Sequence, residues 1–278
     1  MATVLALEQA INERIHQCTE NIAAEFRRSV RPIYGTVDGL RPELFGSCLL
    51  LSVDGTKYVV TAAHLMDSTA THSLHVAGLA GTLPVQILGK ITGTTAPSAG
   101  RGADKIDVAF WPVPEPKALA LGPVSFLGVE SVSTNHKSPI GHVYMAMGFP
   151  ISRNRGAVNN QQRSIKSTLR KYSAAVVDLP ALASDLGISG NDHLFLEYNK
   201  YQTNREGKKV NAVNPTGMSG GAIVDLGNFA SMDYLDPSCK CVGHISGMLI
   251  ERHQKHAALV AIKIHKIIEA IRIHRNAP

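Results

Sequence analysis

Apolar residues recur every three or four positions at the start of the chain, at Leu7, Ile11, Ile15, Cys18, Ile22 and Phe26, with charged residues between them. This period predicts an amphipathic helix over residues 3–28. Its apolar stripe suits packing on the body of the same chain; a partner-binding arm is the other use of such a stripe. From about Pro32 the period drops to two. Residues 47–53 and 57–61 flank Asp54-Gly55, a two-residue turn signal, and predict a hairpin. Short strands also fit 73–77 and 85–90, and 92–102 reads as loop. Val108-Ala109-Phe110-Trp111 is a strand stopped by Pro112 and Pro114. Further strands are predicted at 143–149, 168–177, 194–198, 222–225, 241–249 and 258–262, with a polar insertion and one helical turn over 178–191. Ile264, Ile267, Ile268 and Ile271 share one side of a closing helix over 264–274.

Short strands with Gly, Pro and Asp turns, and no βαβ rhythm, predict an all-β protein. The breaks divide the chain into a helical arm (1–31), a first β unit (32–118), a linker (119–139), a second β unit (140–263) and a C-terminal helix (264–278). At 278 residues and 44% hydrophobic content, the chain can bury one sizeable core or two packed halves. It contains no run of about 18 apolar residues, so no transmembrane helix is expected. Glu8, Glu13 and Glu20 interrupt the N-terminal region, which does not read as a secretion signal.

The four cysteines, Cys18, Cys48, Cys239 and Cys241, form no disulfide framework by spacing, and reduced thiols in a cytoplasmic protein are expected. Cys239-Lys240-Cys241 lacks a second Cys/His pair at metal-ligand spacing. The net charge of +6 is concentrated: residues 151–177 hold Arg153, Arg155, Arg163, Lys166, Arg170 and Lys171 and no acid. A solvated basic face is the first reading of this segment, and docking of an acidic partner or of nucleic acid the second. Tyr172 is its one aromatic, so stacking on single-stranded bases has little support.

Three separated motifs carry chemistry. Thr216-Gly217-Met218-Ser219-Gly220-Gly221 presents a serine among glycines, Thr61-Ala62-Ala63-His64 ends a strand on a histidine, and Asp107 opens the strand Val108–Trp111. A hydroxyl nucleophile needs a base to take its proton. The base in turn needs a carboxylate to hold its tautomer and support the imidazolium. Asp104 is the rival acid, but Asp107 directly precedes the apolar run. In the order His64, Asp107, Ser219, these motifs resemble those of the trypsin-like, chymotrypsin-fold serine peptidases, particularly bacterial ones.

That resemblance implies two antiparallel six-stranded β-barrels with the site between them, and it extends over residues 40–274. It implies an oxyanion hole from the N–H groups of Gly217 and Ser219, no metal or cofactor, and a protein or peptide substrate. The substrate pocket it implies is made by Val213 and Thr216 before the serine and by the strand Ile245-Ser246-Gly247, with substrate backbone added by β-augmentation. Val213 stands about six residues before the serine, where relatives specific for Arg or Lys carry an acid, so a neutral or small residue is expected on the acyl side. His244 falls on the opposite strand face in this register. Nothing resembles the cleaved N-terminus that activates secreted relatives, so any regulation needs another device. An endopeptidase free in the cytosol would be harmful, so narrow specificity or a regulatory protein partner is expected. A catalytically silent peptide-binding module and a nucleic-acid-associated protein remain the alternatives.

Overall fold

Residues 2–36, 41–79, 83–87, 91–133, 141–159, 164–203 and 208–276 are described by the computed structural model. The first sheet is built from β1 (Val30–Thr36), β2 (Glu43–Val53), β3 (Thr56–Ala62), β4 (Ser73–Val76), β5 (Val85–Gln86), β6 (Thr92–Gly93) and β7 (Val108–Pro112). They pair antiparallel in the order β5-β4-β1-β2-β3-β7-β6. Asp54 and Gly55 have φ of 48° and 80°, so both central residues of the β2–β3 turn lie in the left-handed region that closes a tight hairpin. Among the described residues this sheet has seven strands where the resemblance implies six; β6 falls inside the stretch read as loop, and residues 88–90 between β5 and β6 lie outside the described residues.

Neighbouring residues of β2 feed different cores. Cys48 and Leu50 pack inside the first sheet with Ile33, Val59, Leu74 and Trp111. Leu49 and Leu51 face the other way and join a larger core shared with the second sheet and both terminal helices. A sheet buried on both faces in this way curls around one core while packing on another.

The second sheet contains β8 (His142–Gly148), β11 (Arg170–Ala175), β12 (His193–Glu197), β15 (Ala222–Asn228), β16 (His244–His253) and β17 (Ala258–Lys263). They run antiparallel in the order β11-β8-β15-β16-β17-β12. Two small ribbons lie outside it: β9 (Val158–Asn159) with β10 (Ser164–Ile165), and β13 (Tyr201–Thr203) with β14 (Lys209–Asn211). The inner core of this half is Tyr144, Tyr172, Leu194, Leu196, Tyr198, Met218, Leu249, Leu259 and Ala261.

The N-terminal helix α1 (Ala2–Phe26) buries Cys18, Ile22 and Phe26 against the shared core, whereas Leu7 remains 44% exposed. Its stripe therefore packs on the protein over the second half of the helix. One sequence expectation is overturned here: Cys18 and Cys241 form a disulfide, 223 residues apart, that ties α1 to the segment leading into β16. Cys48 and Cys239 are free thiols. Short helices follow: α2 (Ala63–Met66), α3 (Glu115–Ala120), α4 (Ile151–Asn154), α5 (Pro180–Leu186) and α6 (Met232–Leu235). The C-terminal α7 (Ile264–Asn276) buries Ile264, Ile267, Ile268 and Ile271 as its stripe predicts. The fold is mostly β, two curled antiparallel sheets with a helix at each end. No helix among the described residues is long and apolar enough to cross a membrane.

Candidate active site

Strand β3 delivers His64 to the first turn of α2, and Asp107 sits where the chain turns into β7. Asp107 has φ 47°, a left-handed conformation that aspartate adopts more readily than most residues. This turn lets one carboxylate reach residue 64 twice. The His64 Nδ1–H donates to Asp107 Oδ2 at 2.7 Å, and the His64 backbone N–H donates to Oδ1 at 2.9 Å. The Asp107 carbonyl also accepts the N–H of Ala63 at 3.1 Å. With Nδ1 occupied, the imidazole has Nε2 left for the cleft.

Asp104, the rival acid, supports the turn instead. Its Oδ1 accepts the N–H groups of Ile106 and Asp107 at 3.1 and 3.0 Å, and its Oδ2 accepts Arg101 Nη1 at 2.8 Å and the Thr94 hydroxyl. Burial pushes the Asp104 carboxyl up, but Thr94, the backbone donors and Arg101 together hold it below the usual carboxylate range. Arg101 also grips Asp67 at 2.7 and 2.8 Å, which joins the end of α2 to the loop before Asp107.

Ser219 lies in the turn before β15, on the other side of the same cleft. His64, Asp107 and Ser219 all line this cavity of about 360 Å³, together with Thr216, Pro215, Ile250, Glu251 and Arg252. Among the described residues the Ser219 hydroxyl has no hydrogen-bond partner, and the N–H groups of Gly217 and Ser219 meet no internal acceptor. The Thr216 carbonyl accepts the N–H of Ile151 at 2.9 Å. Because C=O and N–H of a trans peptide point in opposite directions, the Gly217 N–H is turned away from α4. Gly217 has φ 93° and Gly220 φ 83°, and a Cβ on Gly220 would lie 2.0 Å from the Ser47 carbonyl oxygen. The turn therefore depends on glycine at both places.

Ser47 is the feature of this site that sequence reasoning missed. It is fully buried in β2, and its Oγ donates to the Gly217 carbonyl at 3.0 Å while accepting the Phe149 N–H at 2.9 Å. Its backbone N–H donates to the Ser219 carbonyl at 2.9 Å, and its own carbonyl accepts the Thr61 hydroxyl at 2.7 Å. One first-sheet residue thus holds the carbonyls on both sides of Met218 in the second-sheet turn. Nothing in the sequence separates Ser47 from any other strand serine.

The predicted pocket residues divide. Thr216 lines the cleft, its hydroxyl donating to Asn214 Oδ1 at 3.0 Å. Val213 packs beside the second-sheet core, and its carbonyl accepts the Tyr198 hydroxyl at 3.0 Å. Ile245, Ser246 and Gly247 do not line the cleft: Ile245 is fully buried in the shared core, and Ser246 is also buried. Strand β16 runs on to His253, and its later residues Ile250, Glu251 and Arg252 reach the cleft instead. The insertion over 178–191 contributes Leu186 and Ile188 to the cleft lining, with α5 clasped to the β16–β17 turn through Asp185, Lys255 and His256. Of the basic segment, Arg153, Arg155, Lys166 and Arg170 are exposed, Lys171 pairs with Glu20, and Arg163 lies outside the described residues.

No protein-family model matches the chain, and no curated protein matches it. Similar solved structures exist. The VesB protease of Vibrio cholerae has a TM-score of 0.53 at 15% identity, covering 91% of this chain and 65% of its own. A Glu endopeptidase gives 0.48 at 13% identity, with 90% and 91% covered. The serine protease domain of the Sesbania mosaic virus polyprotein gives 0.47 at 12% identity, with 87% and 91% covered. This chain thus spans about two thirds of the VesB chain. The likeness to VesB agrees with a chymotrypsin-like arrangement of two half-barrels.

Proposed function

We propose that the protein is a serine endopeptidase. The observation that carries this reading is the His64–Asp107 pair at 2.7 Å, opening on the cleft that Ser219 shares. Ser219 Oγ attacks the scissile carbonyl while His64 Nε2 takes its proton. Asp107, accepting from Nδ1–H, steadies the imidazolium, and the proton then passes to the leaving amine. The N–H groups of Gly217 and Ser219 receive the developing oxyanion, and water activated by His64 releases the acyl group from Ser219. These steps call for no metal or cofactor. Thr216 borders the bound substrate, and the edge of β16 at Ile250–Arg252 offers backbone for an added strand.

Narrow specificity or control by a partner fits this proposal, since α5 walls one side of the cleft and residues 7–10 of α1 are exposed to another protein. Disulfides persist in oxidising surroundings and are rare where thiols are kept reduced. The Cys18–Cys241 bond therefore weighs against the cytoplasmic setting that the sequence suggested. The test is hydrolysis of an unfolded protein mixture with mapping of new N-termini. Ser219→Ala and His64→Ala should each lower kcat by roughly a million-fold, and Asp107→Asn by roughly ten-thousand-fold. Cleavage that survives Ser219→Ala would overturn the assignment.

A further inference from the structure

The cleft carries charged groups that the reaction does not use. Arg101 is committed to Asp67 and Asp104, and Asp107 to His64. Of the remaining charged lining residues, Lys105, Glu251 and Arg252, none has an ion-pair partner among the described residues. Where each of the two strand residues points follows from the register of β16 against β17. Residues directly opposite each other in an antiparallel pair share a face. Arg252 is opposite Leu259, which belongs to the inner core of the second sheet, and Glu251 is opposite Val260, which belongs to the core shared by the two sheets. A register shift between Leu249 and Glu251 sets this phase.

Direct contacts agree with the register. The Arg252 Cζ lies 4.6 Å from the centroid of the Tyr198 ring, a residue only 5% exposed. The Tyr198 hydroxyl in turn donates to the Val213 carbonyl at 3.0 Å, on the segment that runs through Thr216 to Ser219. Arg252 therefore stands on the Val213–Thr216 side of the cleft. Stacking on a tyrosine face orients a guanidinium while leaving its edge N–H groups for a planar acceptor, and the best-matched acceptor is a carboxylate.

We propose that Arg252 reads an acidic residue, glutamate or aspartate, on the acyl side of the bond that is cut. This rests on the endopeptidase reading and names its substrate class: acidic peptides rather than the neutral or small residue that Val213 alone suggests. Thr216 borders the side chain, Tyr198 backs the guanidinium from the core side, and Arg252 meets the carboxylate. His244, the histidine nearest the pocket predicted from sequence, opens β16 opposite Asp225 and is absent from the cleft lining.

The experiment separates binding from chemistry. Full-length protein carrying Ser219→Ala is titrated with fluorescein-labelled Ala-Ala-Ala-Glu-Ser-Ala-amide and with the Gln counterpart, read by anisotropy. The Glu peptide should bind about 10- to 100-fold more tightly, the range of a charge-assisted contact. Added Arg252→Ala should abolish that discrimination, and Arg252→Glu should reverse it in favour of a Lys peptide. Lys105→Ala should leave the Glu-to-Gln ratio unchanged. Equal binding of the two peptides, or a ratio that collapses with Lys105→Ala and survives Arg252→Ala, overturns the assignment. In the same series, the chain with Ser219 intact is offered a mixed peptide library. Cleavage without preference for Glu or Asp refutes the pocket and leaves the peptidase reading standing. Selective binding of the Glu peptide without cleavage supports the pocket and refutes the peptidase reading.

Discussion

Ser47→Ala is the substitution that probes the site most sharply away from its reacting groups. It removes one oxygen and leaves two buried groups without partners, the Phe149 N–H and the Gly217 carbonyl, which the Ser47 hydroxyl now holds at 2.9 and 3.0 Å. Each buried orphan costs about 1–3 kcal/mol, so the variant should lose about 2–4 kcal/mol of stability, with some relief from local relaxation. For a chain of this size that corresponds to a fall of roughly 5–15 °C in Tm. The kinetic effect has a separate origin. The Gly217 carbonyl is one anchor of the turn whose N–H groups would meet the oxyanion, and loss of a whole oxyanion donor costs about 10²–10³ in kcat. Loosening the turn while keeping both donors should cost less, about 10- to 100-fold in kcat, with KM changed by less than about threefold. The assay is steady-state hydrolysis of a peptide nitroanilide beside thermal unfolding of the same preparation. A kcat within about twofold of the native value, together with the lowered Tm, would show that Ser47 stabilises the fold without positioning the turn.

Gly220→Ala should abolish activity and lower Tm, because its Cβ would lie 2.0 Å from the Ser47 carbonyl oxygen at a φ of 83°. Gly156→Ala, where no atom lies within 4 Å, should be neutral in the same melting assay. Thiol reagents under native conditions should modify Cys239 and spare Cys48, whose thiol burial pushes up to about 12; mass spectrometry before and after unfolding would count the adducts. The clasp of α5 should depend on pH. Lys255 and His256 hold the Asp185 carboxyl at about 2, below its ordinary 3.8. Its stabilising effect is full above 3.8 and disappears as pH falls through 2. Amide protection over 180–186, corrected for intrinsic exchange at each pH, should fall in that window, and the fall should be absent in Asp185→Asn.

Much of this was legible because it is local. The stripe of α1, the Asp54-Gly55 hairpin and the isoleucines of α7 each declare themselves within a few residues, and each forms as its period predicts. The histidine and aspartate were legible because each ends or begins a strand beside small or apolar neighbours, and the structure brings them to 2.7 Å. What was not legible depends on distant chain. Cys18 and Cys241 meet only because α1 lies over the segment that enters β16, across 223 residues. Strand residues Ile245, Ser246 and Gly247, expected at the pocket, are not among those that line the cleft, where Ile250, Glu251 and Arg252 are found. A strand signal gives the alternation of faces, but where a cleft crosses the strand is set by its partners, here the Gly220 N–H bonded to the Leu249 carbonyl. Helix α3 forms at Glu115–Ala120, in a proline-rich stretch read partly as linker, because Pro116 suits the first turn of a helix. Ser47 was hidden for the same reason as the disulfide, since its partners lie in the other sheet.

The most direct measurement of the central claim is the intact mass and peptide map of the protein after reaction with a fluorophosphonate. The account predicts a single adduct on Ser219 that is absent in Ser219→Ala and greatly slowed in His64→Ala. A folded native chain that takes no label, or one labelled at another residue, would contradict it.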